Sequence, residues 1–436
     1  MALESVKELF DFIQSSPSCY HVIDTIKRTL NAEGFIELSE QEEWNLEEGK
    51  NYYVTRNLSS IAAFKVPSKD FKSFQIIASH SDSPSFKIKS NPEKAVDDKY
   101  VVLNTERYGG MIYSTWLDRP LSVAGRVMVK TEKGIETRLV NVDRDLLVIP
   151  NLCIHLDKEG NKNKNYNPQL HLLPMYSGAD GKGSFDKIIA EACGEKAEDI
   201  ISSDLFLYNR MAPSIWGANN EYFSCSKIDD LACVFTSLKA FTAGSHKESV
   251  SVYAVFDNEE VGSGTKQGAD STFLEDILYR INMGLGRNKE KLYTAVASSF
   301  LLSADNDHAL HPNYADMADP TNHVIMNEGI VLKHSARQDY TTDAVSCALF
   351  ETICKGVDVP CQKLVNRSDM SGGSTLGNIS NAHVSVNAAD IGLGQLAMHS
   401  SYETAGVADV DYMIKGMTAF YNSAIIAVKD GSYEIH

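Results

Sequence analysis

Val250-Ser251-Val252-Tyr253-Ala254-Val255-Phe256 runs directly into Asp257-Asn258-Glu259-Glu260-Val261-Gly262-Ser263. The first seven residues read as a buried β-strand, and the next seven as a glycine-containing turn. Two adjacent glutamates therefore stand where a central strand ends. Open α/β sheets place their sites at the carboxyl ends of strands. Like charges buried there repel unless a cation or a shared proton relieves them. A metal ion is the simplest relief, and it requires further ligands elsewhere in the chain.

Places of the same kind recur. His80-Ser81-Asp82 follows the apolar run Phe74–Ser79. Asp229-Asp230 precedes a helical pattern, Asp305 closes Ser303-Ala304-Asp305, and His399 lies in Gln395-Leu396-Ala397-Met398-His399-Ser400. Two histidines and several carboxylates suit a hydrolytic pair of divalent ions. A bridging carboxylate would hold such ions about 3.5–4 Å apart, and one further carboxylate would serve as general base.

The bulk numbers agree with a soluble globular protein. The chain has 436 residues, 43% hydrophobic and 23% charged, with a formal net charge of −17. Two or three domains fit that length. The acidic balance argues against nucleic acid as a partner, since phosphate binding needs a cationic face. No segment reaches the roughly 20 apolar residues of a membrane span, and the acidic amino terminus does not read as a signal peptide. Eight cysteines without a C-x-x-C pair read as core residues in a reducing compartment, so a cytoplasmic location is expected.

Along the chain, residues 1–30 read as two helices, with Ser18 as N-cap of the second, and strands follow to position 79. From 93 to 216 short β-type runs separated by turns replace helical patterns. Helix–strand alternation resumes after Trp216. A helix is expected over Leu231–Thr242, a strand over Thr294–Ser303 and a carboxyl-terminal helix over Asp409–Val428. The expected architecture is α/β: a mixed-sheet catalytic domain with helices on both faces, split as 1–92 and 217–436, and an inserted β-rich domain, 93–216. Gly262, Gly264 and Gly268 have the wrong spacing for a dinucleotide fingerprint and are better explained by the turn that seats the glutamates.

These motifs, with Trp116-x-Asp118-Arg119-Pro120-Leu121, Ala124-Gly125-Arg126-Val127, His311-Pro312-Asn313-Tyr314 and Gly373-Ser374-Thr375-Leu376-Gly377, resemble those of the M18 aminopeptidases, which include the aspartyl aminopeptidases. The resemblance covers nearly the whole chain in order. It implies a dimetal exopeptidase with two divalent ions per subunit, zinc first and manganese or cobalt as alternatives. Asp229 would bridge; His80 and Asp305 would complete one site, Glu260 and His399 the other. Asp82 would orient His80 by a hydrogen bond. Glu259 would act as general base on the water that attacks the scissile carbonyl.

The resemblance further implies peptide substrates with a free amino terminus, and Lys333, in Val331-Leu332-Lys333-His334, favouring amino-terminal Asp or Glu. His155, in Asn151-Leu152-Cys153-Ile154-His155-Leu156, would reach a neighbouring subunit's site, and the inserted domain would support a homo-oligomer, a dodecamer. Asp230 stands where the aspartyl members carry Asn and would add a negative charge near the ions. A broader-specificity aminopeptidase, an N-deacylase on the same scaffold and a catalytically silent metal-dependent assembly protein are the competing readings.

Overall fold

The computed structural model describes residues 2–158, 160–162, 164–370 and 372–436. Its centre is a nine-stranded sheet in the order Ile36–Leu38, Asn51–Arg56, Ser60–Lys65, Ser249–Phe256, Ser73–His80, Phe300–Ala304, Asn387–Gly392, Ile330–His334 and Cys361–Val365. The four strands from Ser249–Phe256 to Asn387–Gly392 are mutually parallel. Ser60–Lys65 and Ile330–His334 run antiparallel to that block. Strands covered on both faces are predominantly apolar, and Ser249–Phe256 and Ser73–His80 are buried at every position.

Successive side chains point to opposite faces. Ile77, Tyr253 and Val255 pack under helices Ala2–Gln14, Cys19–Ala32, Ile228–Ala243, Ala344–Lys355 and Val407–Tyr421. Ile76, Ala78, Val252 and Ala254 pack under Phe273–Gly284 and Lys289–Ala297. The register Phe256↔His80 brings the ends of these two central strands level. The turn carrying Glu259 and Glu260 therefore begins beside His80.

A second sheet contains six strands, ordered Gly134–Asn141, Leu121–Thr131, Ile200–Asn209, Ser85–Val96, Tyr100–Tyr108 and Met175–Gly178, around its own apolar cluster that includes Phe86, Trp116 and Leu205. Its first strand, Ser85–Val96, crosses the expected boundary at residue 92. Ser214–Trp216 lies outside it, pairing with Tyr222–Cys225 in a five-stranded sheet that also holds Glu403–Gly406, Gly394–Leu396 and Asp307–His308.

Three local expectations need correction. Residues Lys289–Ala297 are helical and the strand is confined to Phe300–Ala304, because Lys289-Glu290-Lys291 opens a helix capped by Asn288, whose side chain accepts from Lys291 N. The last helix is Val407–Tyr421, and Ile425–Lys429 and Ser432–Ile435 form a hairpin after it. Ser18 precedes the helix Cys19–Ala32 as expected, but its hydroxyl bonds the His21 ring at 2.8 Å rather than a backbone amide. Among the described residues no helix is long and apolar enough to cross a membrane.

Candidate metal centre

Five loops deliver polar side chains to one edge of the central sheet. His80 ends its strand, Asp305 directly follows Phe300–Ala304, and Glu259 and Glu260 sit in a single turn after Phe256. Asp229 and Asp230 lie at a kink near the start of Ile228–Ala243, and His399 follows the strand Gly394–Leu396. Several of these loops pass through a left-handed residue close to the functional position: Lys227 at φ 57°, Asn258 at φ 64° and His399 itself at φ 63°. Such conformations cost energy in non-glycine residues and persist where the surroundings hold them.

Asp229 is the hub. Its Oδ1 lies 3.4 Å from His80 Nε2 and its Oδ2 3.4 Å from His399 Nε2. His399 Nε2 is also 3.4 Å from Glu260 Oε2, and His80 Nε2 is 3.8 Å from Asp305 Oδ1. Three groups of atoms close enough to share an ion result among the described residues: His80, Asp229, Asp230 and Asp305; Asp229, Glu260 and His399; and His80, Glu259 and Glu260.

The donor set fits divalent cations. Asp229 Oδ1 and Glu260 Oε1 are buried and accept no hydrogen bond. Buried anionic oxygens without donors are costly, and a cation compensates them. The donors are carboxylate oxygen and imidazole nitrogen, the types that bind zinc and similar ions. His80 Nδ1 is held by the backbone carbonyl of Asp82 at 3.0 Å, which leaves Nε2 facing the cluster.

The carboxylate of Asp82 has partners besides the His80 ring that it was expected to orient. It lies 3.4 Å from the His80 ring but accepts the backbone N–H groups of Glu259 and Glu260, each at 3.2 Å, and the Tyr108 hydroxyl at 2.7 Å. It thus fixes the turn that carries both glutamates. Asn258 Nδ2 donates to the same Tyr108 oxygen at 2.8 Å.

The protonation pattern follows from crowding. Burial pushes the Glu259 carboxyl up to about 8; Asp305, Asp82 and Asp229 add to the rise and His80 opposes it. Burial, then Asp229, pushes Glu260 well above the usual range. Asp229 is depressed: burial would raise it, but His399 and His80 prevail. Burial first, then Asp305 and Asp229, raises the Asp230 carboxyl well above the usual range against the pull of His80.

Glu403 escaped the sequence reading. It is 1% exposed, its Oε1 accepts His399 N at 2.8 Å and its Oε2 accepts Asp229 N at 3.1 Å. A glutamate four residues after a candidate ligand was the available signal. Tyr108 gave none, since its strand belongs to the other sheet. That sheet also closes onto the site: Ile112 N donates to His399 O at 3.0 Å, and a Cβ on Gly109 would stand 3.1 Å from Glu260 Cβ.

A cavity of about 350 Å³ opens over the cluster, lined by Asp229, Glu259, Asp305, His399, Asp307, Lys333 and others. Lys333 lies within the strand Ile330–His334 and is 2% exposed. Its Nζ donates to Asn306 O at 2.7 Å, with Asp305 at 3.8 Å and Asp307 at 3.7 Å. His155 is exposed, in a stretch with Leu152, Ile154 and Leu156 also exposed, and lies outside the lining of this cavity.

An imidazole–carboxylate cluster at the strand ends of an α/β sheet, beneath an open cavity, defines a metallohydrolase. A family model described as "Aminopeptidase I zinc metalloprotease (M18)" matches residues 12–421, and the chain belongs to that M18 peptidase family: it is a metalloaminopeptidase. The chain is 46% identical over 428 residues to "Probable M18 family aminopeptidase 2" of Clostridium acetobutylicum, covering 96% of this chain and 99% of the relative. It is 35% identical over 464 residues to "Probable aspartyl aminopeptidase" of Ricinus communis, covering 95% and 94%. Among solved structures it resembles Ape4 in its complex with Nbr1, with TM-score 0.93 and 33% identity over 97% of this chain and 86% of that one. It also resembles the S. cerevisiae mApe1 dodecamer, with TM-score 0.81 and 26% identity over 95% of each.

Proposed function

We propose that this aminopeptidase holds two divalent ions, zinc by family description, and removes acidic residues from peptide amino termini. The observation that carries the two-ion reading is Asp229, which presents one carboxylate oxygen to His80 and the other to His399, each at 3.4 Å. His80 and Asp305 would hold one ion, Glu260 and His399 the other, with Asp229 shared. When bound, such a pair acidifies water and polarises the scissile carbonyl.

Glu259 is the general base. Its carboxylate lines the cavity and belongs to the turn fixed by Asp82. It takes a proton from the attacking water and returns it to the leaving amine. Asp82 acts at one remove, through the Glu259 and Glu260 amides and the His80 ring. Lys333 faces the cavity with one donor committed to Asn306 O, and an ammonium has three. Its remaining donors suit a substrate carboxylate, in keeping with the aspartyl name of the castor-bean relative.

The six-stranded sheet is read as the inserted assembly domain of a homo-oligomer, a dodecamer like the yeast mApe1 assembly. The exposed Leu152, Ile154 and Leu156 beside His155 support an intersubunit contact there. Eight free cysteines suit a reducing, cytoplasmic compartment.

Glu259→Gln tests the mechanism. The variant should keep its ions and assembly while kcat falls by about 10²–10⁴-fold. Turnover within a factor of two of the parent would remove Glu259 from the chemistry.

A further inference from the structure

Lys333 does not stand alone as a cation in the pocket. Two carboxylates lie within ion-pair distance of its Nζ, Asp305 at 3.8 Å and Asp307 at 3.7 Å. Asp305 belongs to the proposed metal centre, where its charge is shared with an ion. Asp307 belongs to none of the candidate ion groups. It is 3% exposed, its Oδ1 is taken by the His308 ring and backbone N–H, both at 2.7 Å, and its Oδ2 accepts no hydrogen bond. That unpartnered oxygen is the one nearest Lys333, and both residues line the cavity.

Position favours the pairing. Asp307 lies in a short strand, its N–H bonded to Leu393 O at 3.1 Å, and Lys333 sits in the central sheet opposite Leu364. Both side chains are buried, 3% and 2% exposed. A substrate carboxylate approaching Lys333 must therefore compete with a fixed negative charge, whereas a neutral amide pays no such penalty.

We propose that Asp307 sets the breadth of amino-terminal residue choice by sharing the charge of Lys333, so that the pocket accepts neutral polar side chains alongside acidic ones. This rests on the proposed reading that Lys333 faces the substrate side chain. Asp307 is a positioning and charge-balancing residue, and it touches no reacting atom.

The test is the ratio of kcat/KM for peptides that differ only in amino-terminal Asp or Asn, measured on the metal-loaded oligomer. General losses cancel in this ratio. The parent enzyme should favour Asp by less than about tenfold, Asp307→Asn should raise the ratio by at least about tenfold through KM, and Asp307→Glu should keep the parent value. Lys333→Met, which leaves Asp307 bare, should bring the ratio below one. A ratio unchanged or lowered in Asp307→Asn, with Lys333→Met behaving as stated, overturns the role of Asp307 alone. A ratio unmoved by Lys333→Met overturns the reading of Lys333 and this inference with it. Should Asp307→Asn not fold, a parent preference for Asp above about a hundredfold overturns the proposal by itself.

Discussion

Glu403 Oε1 accepts the backbone N–H of His399 at 2.8 Å, and the residue so held is in the left-handed region at φ 63°. The other oxygen of the same carboxylate accepts Asp229 N at 3.1 Å. One buried side chain thereby sets the spacing between Asp229 and His399, which are proposed to hold the second ion. Glu403→Ala should weaken retention of that ion by about 10–100-fold, the usual cost of losing a group that orients ligands. Chelator competition followed by metal analysis reads this directly, and retention equal to the parent would show that the two loops need no tie.

The metal-free protein should lose stability as pH rises from about 4.5 to about 8. Burial lifts Glu259 and Glu403 from 4.5 to about 8, so each is neutral when folded and ionised when unfolded within that window. His80 and His399 act in the same direction. Burial lowers both, but neighbouring carboxylates raise them above 6.5, and the stability they supply below that value disappears as pH passes their folded values. Asp229 and Asp307 are depressed and oppose only in acid, where their contribution is lost as pH falls below 3.8. Melting temperatures of chelated protein between pH 5 and 8 should fall steadily, and added zinc should flatten the slope. A chelated protein that melts higher at pH 8 than at pH 5 contradicts this account.

Chelation should also loosen one turn before the rest of the sheet edge. Glu259 and Glu260 are neighbours on the chain, and the turn is anchored by Asp82, Tyr108 and Asn258. With the ions gone, the turn loses the tether that Glu260 would supply, and only the Asp82, Tyr108 and Asn258 anchors remain. Hydrogen exchange in 257–263 should accelerate more than in 249–256, and equal acceleration in both would mean the ions brace the whole strand.

Gly392 offers a probe that touches no ligand side chain. A Cβ there would meet the backbone oxygen of Asp305 at 2.1 Å. Gly392→Ala must move the Asp305 backbone, at a cost of about 1–3 kcal/mol in stability. The variant should bind metal more weakly than its lowered melting point alone explains. Undiminished affinity would show that Asp305 is dispensable as a ligand.

The runs at 74–79 and 250–256 were legible because strands buried on both faces are predominantly apolar, and the acidic and imidazole groups after them stood out by contrast. Glu403 and Tyr108 were not legible, because their meaning comes from pairings across sheets: Cys225↔Glu403 in one, and Tyr108 reaching Asp82 from another. Lys333 lies inside the strand Ile330–His334, a buried lysine that carbonyl and carboxylate oxygens make tenable. Thr294–Ser303 misled because its apolar residues fit either period, and the Asn288 cap decided for helix.

The contact of Gly109 with Glu260 and of Ile112 with His399 gives the second sheet an asymmetric freedom. Near residues 109–112 the chain abuts the catalytic floor, and adding or deleting a residue there would displace a metal-centre loop. Residues 152–156 are exposed in the single subunit and lie outside the lining of the cavity. A change of length there would alter how subunits meet and leave the floor of its own subunit's site in place.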